Sequence, residues 1–189
     1  MPALISLNQI RDNNPSGLPC KNGWVTLLKG LGKTAADDEL FPITFVLDNN
    51  GVEDAFWCVD CLRGYDYAVF NLKADVVESV LHIFEEEYPN DPCVRDCITV
   101  TRAFALGEVT LDDLRVAQDF AWDAESNAAG ADLLAASFVA ESAAVSDMYN
   151  TSRTAAAAAV FTAESEDGQD AARDAELQKQ SEMFRKWLG

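Results

Sequence analysis

The sequence predicts an all-α fold: a single-domain helical bundle over residues 1–189 with an acidic, alanine-rich C-terminal half. Three observations carry this expectation. Apolar residues recur at three- and four-residue steps along most of the chain. All six prolines lie before residue 93, and twenty alanines fall between Ala117 and Ala175. Proline breaks a helix interior and alanine loses least on entering one, so the second half is free to be helical throughout. A chain of 189 residues that is 49% hydrophobic can bury a real core and is too apolar to be a disordered acidic tail. About seven or eight helices are expected, in a front sub-bundle (1–107) and a rear one (108–189).

Trp24, Leu27, Leu28 and Leu31 share one helical face, and Gly30 and Gly32 stop that segment. A second apolar segment runs from Pro42 through Phe45 and Val46 to Asn49-Asn50-Gly51; its Phe41 to Leu47 part also suits a strand, being β-branched and aromatic. Val52 to Leu62 follows as a helix with Phe56 and Val59 inward. The clearest front helix is Ala68 to Glu87, with Val69, Leu72, Val76, Val80, Ile83 and Phe84 as its apolar stripe. Pro89 ends it, and Asp91-Pro92 opens another that reaches about Leu106. Thr110 suits an N-cap, with Asp112 and Asp113 in the first turn. Leu111, Leu114, Ala117, Phe120, Ala121 and Ala124 continue the period behind it. Gly130, Asn150 and Gly168 mark the expected breaks, and a last amphipathic helix from about Asp170 turns Leu177, Phe184, Trp187 and Leu188 inward.

The charge is uneven. The chain has 32 Asp and Glu against 14 Lys and Arg, a net −18. Residues 1–107 carry −8, residues 108–176 carry −12 and the last 13 carry +2. Such a chain is not built for direct nucleic-acid binding, which depends on neutralising phosphates with Lys and Arg. No run approaches the roughly 20 apolar residues that span a bilayer. Met1 to Arg11 has no basic patch ahead of an apolar stretch, so a bacterial cytoplasm is the expected compartment. The acidic rear half attracts a basic protein and can compete with nucleic acid for it. The candidate partner-binding residues are Asp112, Asp113, Asp119, Asp123, Glu125, Asp132 and Glu141. Six acids lie between Asp112 and Asp132, about one per 5 Å at 1.5 Å per helical residue. A duplex carries one charge per roughly 1.7 Å, so one helix is too dilute to mimic it, and a basic protein partner is favoured over strict mimicry.

Other motifs give little chemistry. Cys58, Cys61, Cys93 and Cys97 have spacings seen in zinc sites, yet the same steps are those of core positions on helices. Structural zinc is the weaker alternative, and no cofactor is expected. Gly30-Leu31-Gly32-Lys33-Thr34 lacks the first glycine of a phosphate loop, its place being taken by Leu27. Asp48-Asn49-Asn50-Gly51 would put Glu53 where a calcium loop needs glycine, so it is a turn. His82, the single histidine, has no nucleophile to serve. Glu85-Glu86-Glu87 sits where a helix dipole disfavours it and fits a solvated end better than a partner patch. An enzyme is the least supported class.

Leu18-Pro19-Cys20, Gly23-Trp24, Leu27-Leu28-Lys29, Leu31-Gly32-Lys33-Thr34 and Ala36-Asp37-Asp38-Glu39 together resemble a known family of alanine-rich helical immunity proteins, also found as phage proteins. Asn50-Gly51, Asp54-Ala55-Phe56-Trp57-Cys58 and the Gly107-Glu108-Val109-Thr110 step are similar too. The resemblance implies a non-enzymatic, phage-encoded inhibitor whose basic partner is a toxin or a bacterial defence enzyme. It supplies no catalytic residues. This chain is more acidic in its alanine half than the family it resembles. An assembly protein packing through its alanine-rich helices, with homo-oligomers, is the alternative.

Overall fold

A computed structural model of the chain describes residues 2–14, 17–128, 134–145, 147–163 and 165–189. Ten helices and one pair of two-residue strands are found among them. The elements are β1 (Leu4–Ile5), α1 (Leu7–Asp12), α2 (Lys21–Gly30), β2 (Phe41–Pro42), α3 (Thr44–Asn50), α4 (Val52–Val59), α5 (Asp66–Glu87), α6 (Cys93–Ala105), α7 (Leu111–Ala128), α8 (Leu134–Ala144), α9 (Met148–Phe161) and α10 (Glu166–Leu188). The fold is all-α, as the periodicity predicts.

Several boundaries differ from the sequence expectation, each for a local reason. Ten helices replace seven or eight partly because α1 begins on a capping box: the Ser6 hydroxyl accepts from the Gln9 N–H, and the Gln9 side chain accepts from the Ser6 N–H. The Phe41 to Leu47 segment is divided. Phe41–Pro42 pairs antiparallel with Leu4–Ile5, and α3 starts at Thr44. Asn150 lies inside α9, because Asp147 accepts the Asn150 N–H and starts the helix earlier. Gly168 likewise falls in the first turn of α10, where its N–H is held by the Ser165 hydroxyl. The expected break at Gly130 lies outside the described residues.

Helix α5 is the hub, packing against α6, α8, α9 and α10. Its predicted stripe is buried at Leu72, Val76, Val80, Ile83 and Phe84, but so are Ala74, Val77 and Leu81 on other faces, because neighbours surround it. The alanines of the rear half work in the same core. Ala136, Ala140, Ala143, Ala155 and Ala158 are buried, and their small side chains let α8 and α9 lie close together. From α10, Phe184 and Leu188 enter the core, with the Phe184 ring 5.4 Å from that of Phe56 on α4. Residues from both halves therefore share one buried core, from Ala3 to Leu188. Near the chain ends the Ala3 N–H donates to the Leu188 carbonyl at 2.9 Å.

The α10 interface also buries polar groups that an amphipathic reading does not anticipate. Glu176 and Gln180 are 1% and 0% exposed. Glu176 accepts from the Ser79 hydroxyl at 2.6 Å, and Gln180 accepts from Ser152 at 2.5 Å while donating to the Ser152 carbonyl. Such a satisfied network fixes the register of α10 against α5 and α9.

Candidate partner-binding surface

Helix α7 packs between α6 and α8 and turns Leu114, Ala117, Ala121 and Ala124 inward. Spacings of three and four residues place these four on one side. Opposite them, Asp112, Asp119 and Asp123 stand seven and four residues apart in one exposed row. On one flank of the row are Val116 and Phe120, 53% and 61% exposed; on the other are Leu111 and Trp122, 47% and 51% exposed. Leu111 and Phe120 continue the apolar period in sequence, but both stay exposed on the flanks of α7. The signal for the apolar flanks was available, since Val116 and Trp122 fall off the line through Leu114, Ala117, Ala121 and Ala124.

The other candidate carboxylates divide. Asp113 is occupied in capping: it accepts from the Thr110 N–H at 2.8 Å and the Thr110 hydroxyl at 2.6 Å. Those bonds hold its carboxyl below the usual range. Asp112 lies 3.3 Å from Arg115 on an exposed turn, an ion pair too solvated to matter much. Glu125 is on α7, but its side chain is outside the described residues, as is all of Asp132. Glu141 is half-buried on α8 and engaged with a group of its own, so it does not belong to the exposed row. A groove of about 560 Å³ adjoins the Val116 flank, with Asp91, Asp96 and Asp113 around Val100 and Phe120.

The cysteines do not assemble into a metal centre: among the described residues, no three His, Cys, Asp or Glu side chains are placed to share an ion. Cys58, Cys61 and Cys97 are buried, and burial first of all pushes their thiols up, Cys61 to about 11. The Gly30-Leu31-Gly32 segment is a helix stop, with Gly32 at φ +68° and the Lys33 N–H returning to the Leu28 carbonyl. The Lys33 ammonium is committed to Asp37 and Glu39. His82 is exposed on α5.

A buried titratable cluster that sequence reasoning missed lies under the α8–α9 corner. Lys73 on α5 is 3% exposed and donates to the Val145 carbonyl. Burial pushes its ammonium down to about 8, against the opposing pull of Cys97, Asp147 and Asp60. Asp60 accepts the Met148 N–H at 3.1 Å at the start of α9. Burial pushes its carboxyl up to about 6, and its Oδ2 is buried with no partner among the described residues. The cluster joins α5 and the α4 end to the start of α9, which is a structural task.

The fold and the α7 face define an acidic all-helical protein with an exposed aromatic and carboxylate surface. The chain belongs to the Imm-5 like putative immunity protein family, whose model matches residues 68–186. That span runs from the first turn of α5 almost to the end of α10 and contains α7 entire. It includes the Gly107 to Thr110 step of the resemblance and leaves its Leu18 to Cys58 motifs outside. No curated protein and no solved structure matches the chain significantly. Family membership implies an immunity-type role and a protein partner. No helix among the described residues is long and apolar enough to cross a membrane.

Proposed function

We propose that this chain is a non-enzymatic, phage-encoded inhibitor of immunity type, whose α7 face binds a basic surface on a toxin or bacterial defence enzyme and competes there with nucleic acid. The observation that carries the reading is the row Asp112, Asp119 and Asp123 set between Val116 and Phe120 on one side and Leu111 and Trp122 on the other. Exposed aromatics supply anchors that desolvate on contact, while the carboxylates steer and orient a cationic partner. The phage origin rests on the sequence resemblance alone.

The test is capture of host proteins on the immobilised chain at low and high salt. A basic protein retained at low salt, released at high salt, and displaced by duplex nucleic acid supports the reading; retention indifferent to both counts against it. The assembly alternative has less support. The buried alanines of α8 and α9 are used inside the chain's own core, and a second copy would bring the same carboxylates against the row. Light scattering that finds a defined oligomer through α7 would favour it instead.

A further inference from the structure

A cavity of about 340 Å³ opens between α2, α3, α4 and the start of α9. Its walls include Trp24, Trp57 and Tyr149, and the carboxylate of Asp54 borders it. Three of the sequence motifs, Leu18-Pro19-Cys20, Gly23-Trp24 and the stretch from Asp54 to Cys58, contribute to its walls, and the α7 surface leaves them without a role.

The carboxylate is held in place. Asn50 Nδ2 donates to Asp54 Oδ2 at 2.7 Å and to the Gly23 carbonyl at 2.9 Å. Asp54 Oδ1 has no hydrogen-bond partner among the described residues. A Cβ on Gly23 would lie 2.4 Å from Asp54 Oδ2, so the carboxylate in its present position occupies the space that glycine leaves in the first turn of α2. No lysine or arginine is among the residues that line the cavity; Glu53, which also lines it, is paired with Arg173. Fixed negative charge in a cavity walled by aromatic side chains, with no lysine or arginine in its lining, suits a flat cation that can stack and hydrogen-bond at once.

We propose that this cavity is a binding site for a guanidinium group on a short aliphatic stem, either a free compound or an arginine side chain of a partner. The inference stands on this pocket and is independent of the α7 reading.

The test is an NMR titration of the whole chain at constant ionic strength, following the indole N–H signals of its four tryptophans. The probes are N-acetyl-arginine amide and its neutral isostere N-acetyl-citrulline amide. The arginine probe should shift the Trp24 and Trp57 signals saturably, with a Kd on the order of a millimolar for so small a ligand, and leave Trp122 and Trp187 in place. The citrulline probe should do neither. Asp54→Asn should weaken the arginine probe at least fivefold; should that variant fail to fold, the comparison of the two probes on the unaltered chain decides by itself. A short arginine-containing peptide that binds more tightly than the amide assigns the site to a partner's side chain, and equal binding assigns it to a free compound. No saturable shift at Trp24 and Trp57, or equal shifts with citrulline, overturns the proposal.

Discussion

Lys73→Met is predicted to stabilise the chain at neutral pH. The ammonium is buried, and among the described residues its one hydrogen-bond acceptor is the Val145 carbonyl. Its fall from the ordinary 10.5 to about 8 corresponds to a penalty of about 3 kcal/mol on the charged form. Methionine keeps most of the alkyl volume and leaves one carbonyl without its donor, a loss of about 1 kcal/mol. The variant should therefore be more stable by about 1–2 kcal/mol at pH 7, as when a buried ion is replaced by an apolar isostere. The pH dependence gives a sharper test. Below about 8 Lys73 is charged in both folded and unfolded chains, so the penalty is fully present. As pH rises from about 8 towards 10.5 the folded chain releases this proton while the unfolded chain keeps it, so wild-type stability gains. The raised thiols act oppositely: the folded chain keeps protons that unfolded cysteines lose, and stability falls above about 9. That effect is common to both proteins and cancels in their difference, except at Cys97, which faces Lys73; repeating the comparison in a Cys97→Ala background removes it. Urea unfolding followed by circular dichroism from pH 7 to 10 should show the gap closing at about pH 9 and reversing, with wild type the more stable by roughly 1 kcal/mol near pH 10. A variant less stable than wild type at pH 7, by an amount constant with pH, would instead show Lys73 to be a well-compensated ion.

Asp75 joins α5 to α6 and α10 through Arg102 at 2.9 Å, Lys186 at 2.7 Å and the Trp187 indole N–H at 2.7 Å. Asp75→Ala should cost about 1–3 kcal/mol in urea unfolding at pH 7. Burial pushes the Asp75 carboxyl up, but Lys186, Trp187 and Arg102 together hold it below its ordinary 3.8, so the variant's deficit should persist down to about pH 4 and shrink as pH falls through the lower folded value. Ala140→Leu, at a 0% exposed position on α8, should lower stability by about 1–3 kcal/mol through overpacking, seen as a reduced Tm. A thiol reagent should modify exposed Cys20 in the native chain and reach buried Cys58, Cys61 and Cys97 only on unfolding; rapid native labelling of Cys97 would contradict its burial.

Helix periodicity made α5, α6 and the start of α7 legible, because their apolar stripes and caps are local in sequence. Where the sequence misled, the deciding contact was either a cap or a neighbour. Ser6 and Gln9 spell a capping box that would have revealed α1. Asn150 and Gly168 look like stops, yet Asp147 and Ser165 start α9 and α10 ahead of them. Lys73 sits on a helix surrounded by others, and no pattern within α5 shows that a lysine there is enclosed. The acidic face of α7 was legible as composition. Its arrangement was not: which of Leu111, Val116, Phe120 and Trp122 stay outside depends on how α6 and α8 seat against the helix.

Recognition of a cationic partner by the α7 row is tested by the affinity of the captured partner for wild type and for an Asp112→Asn, Asp119→Asn, Asp123→Asn variant at low and high salt. The variant should bind at least about tenfold more weakly at low salt, mostly through the association rate. The difference should close at high salt, where the Debye length falls to about 3 Å at 1 M. Equal affinities for the two chains at low salt would contradict recognition by the row.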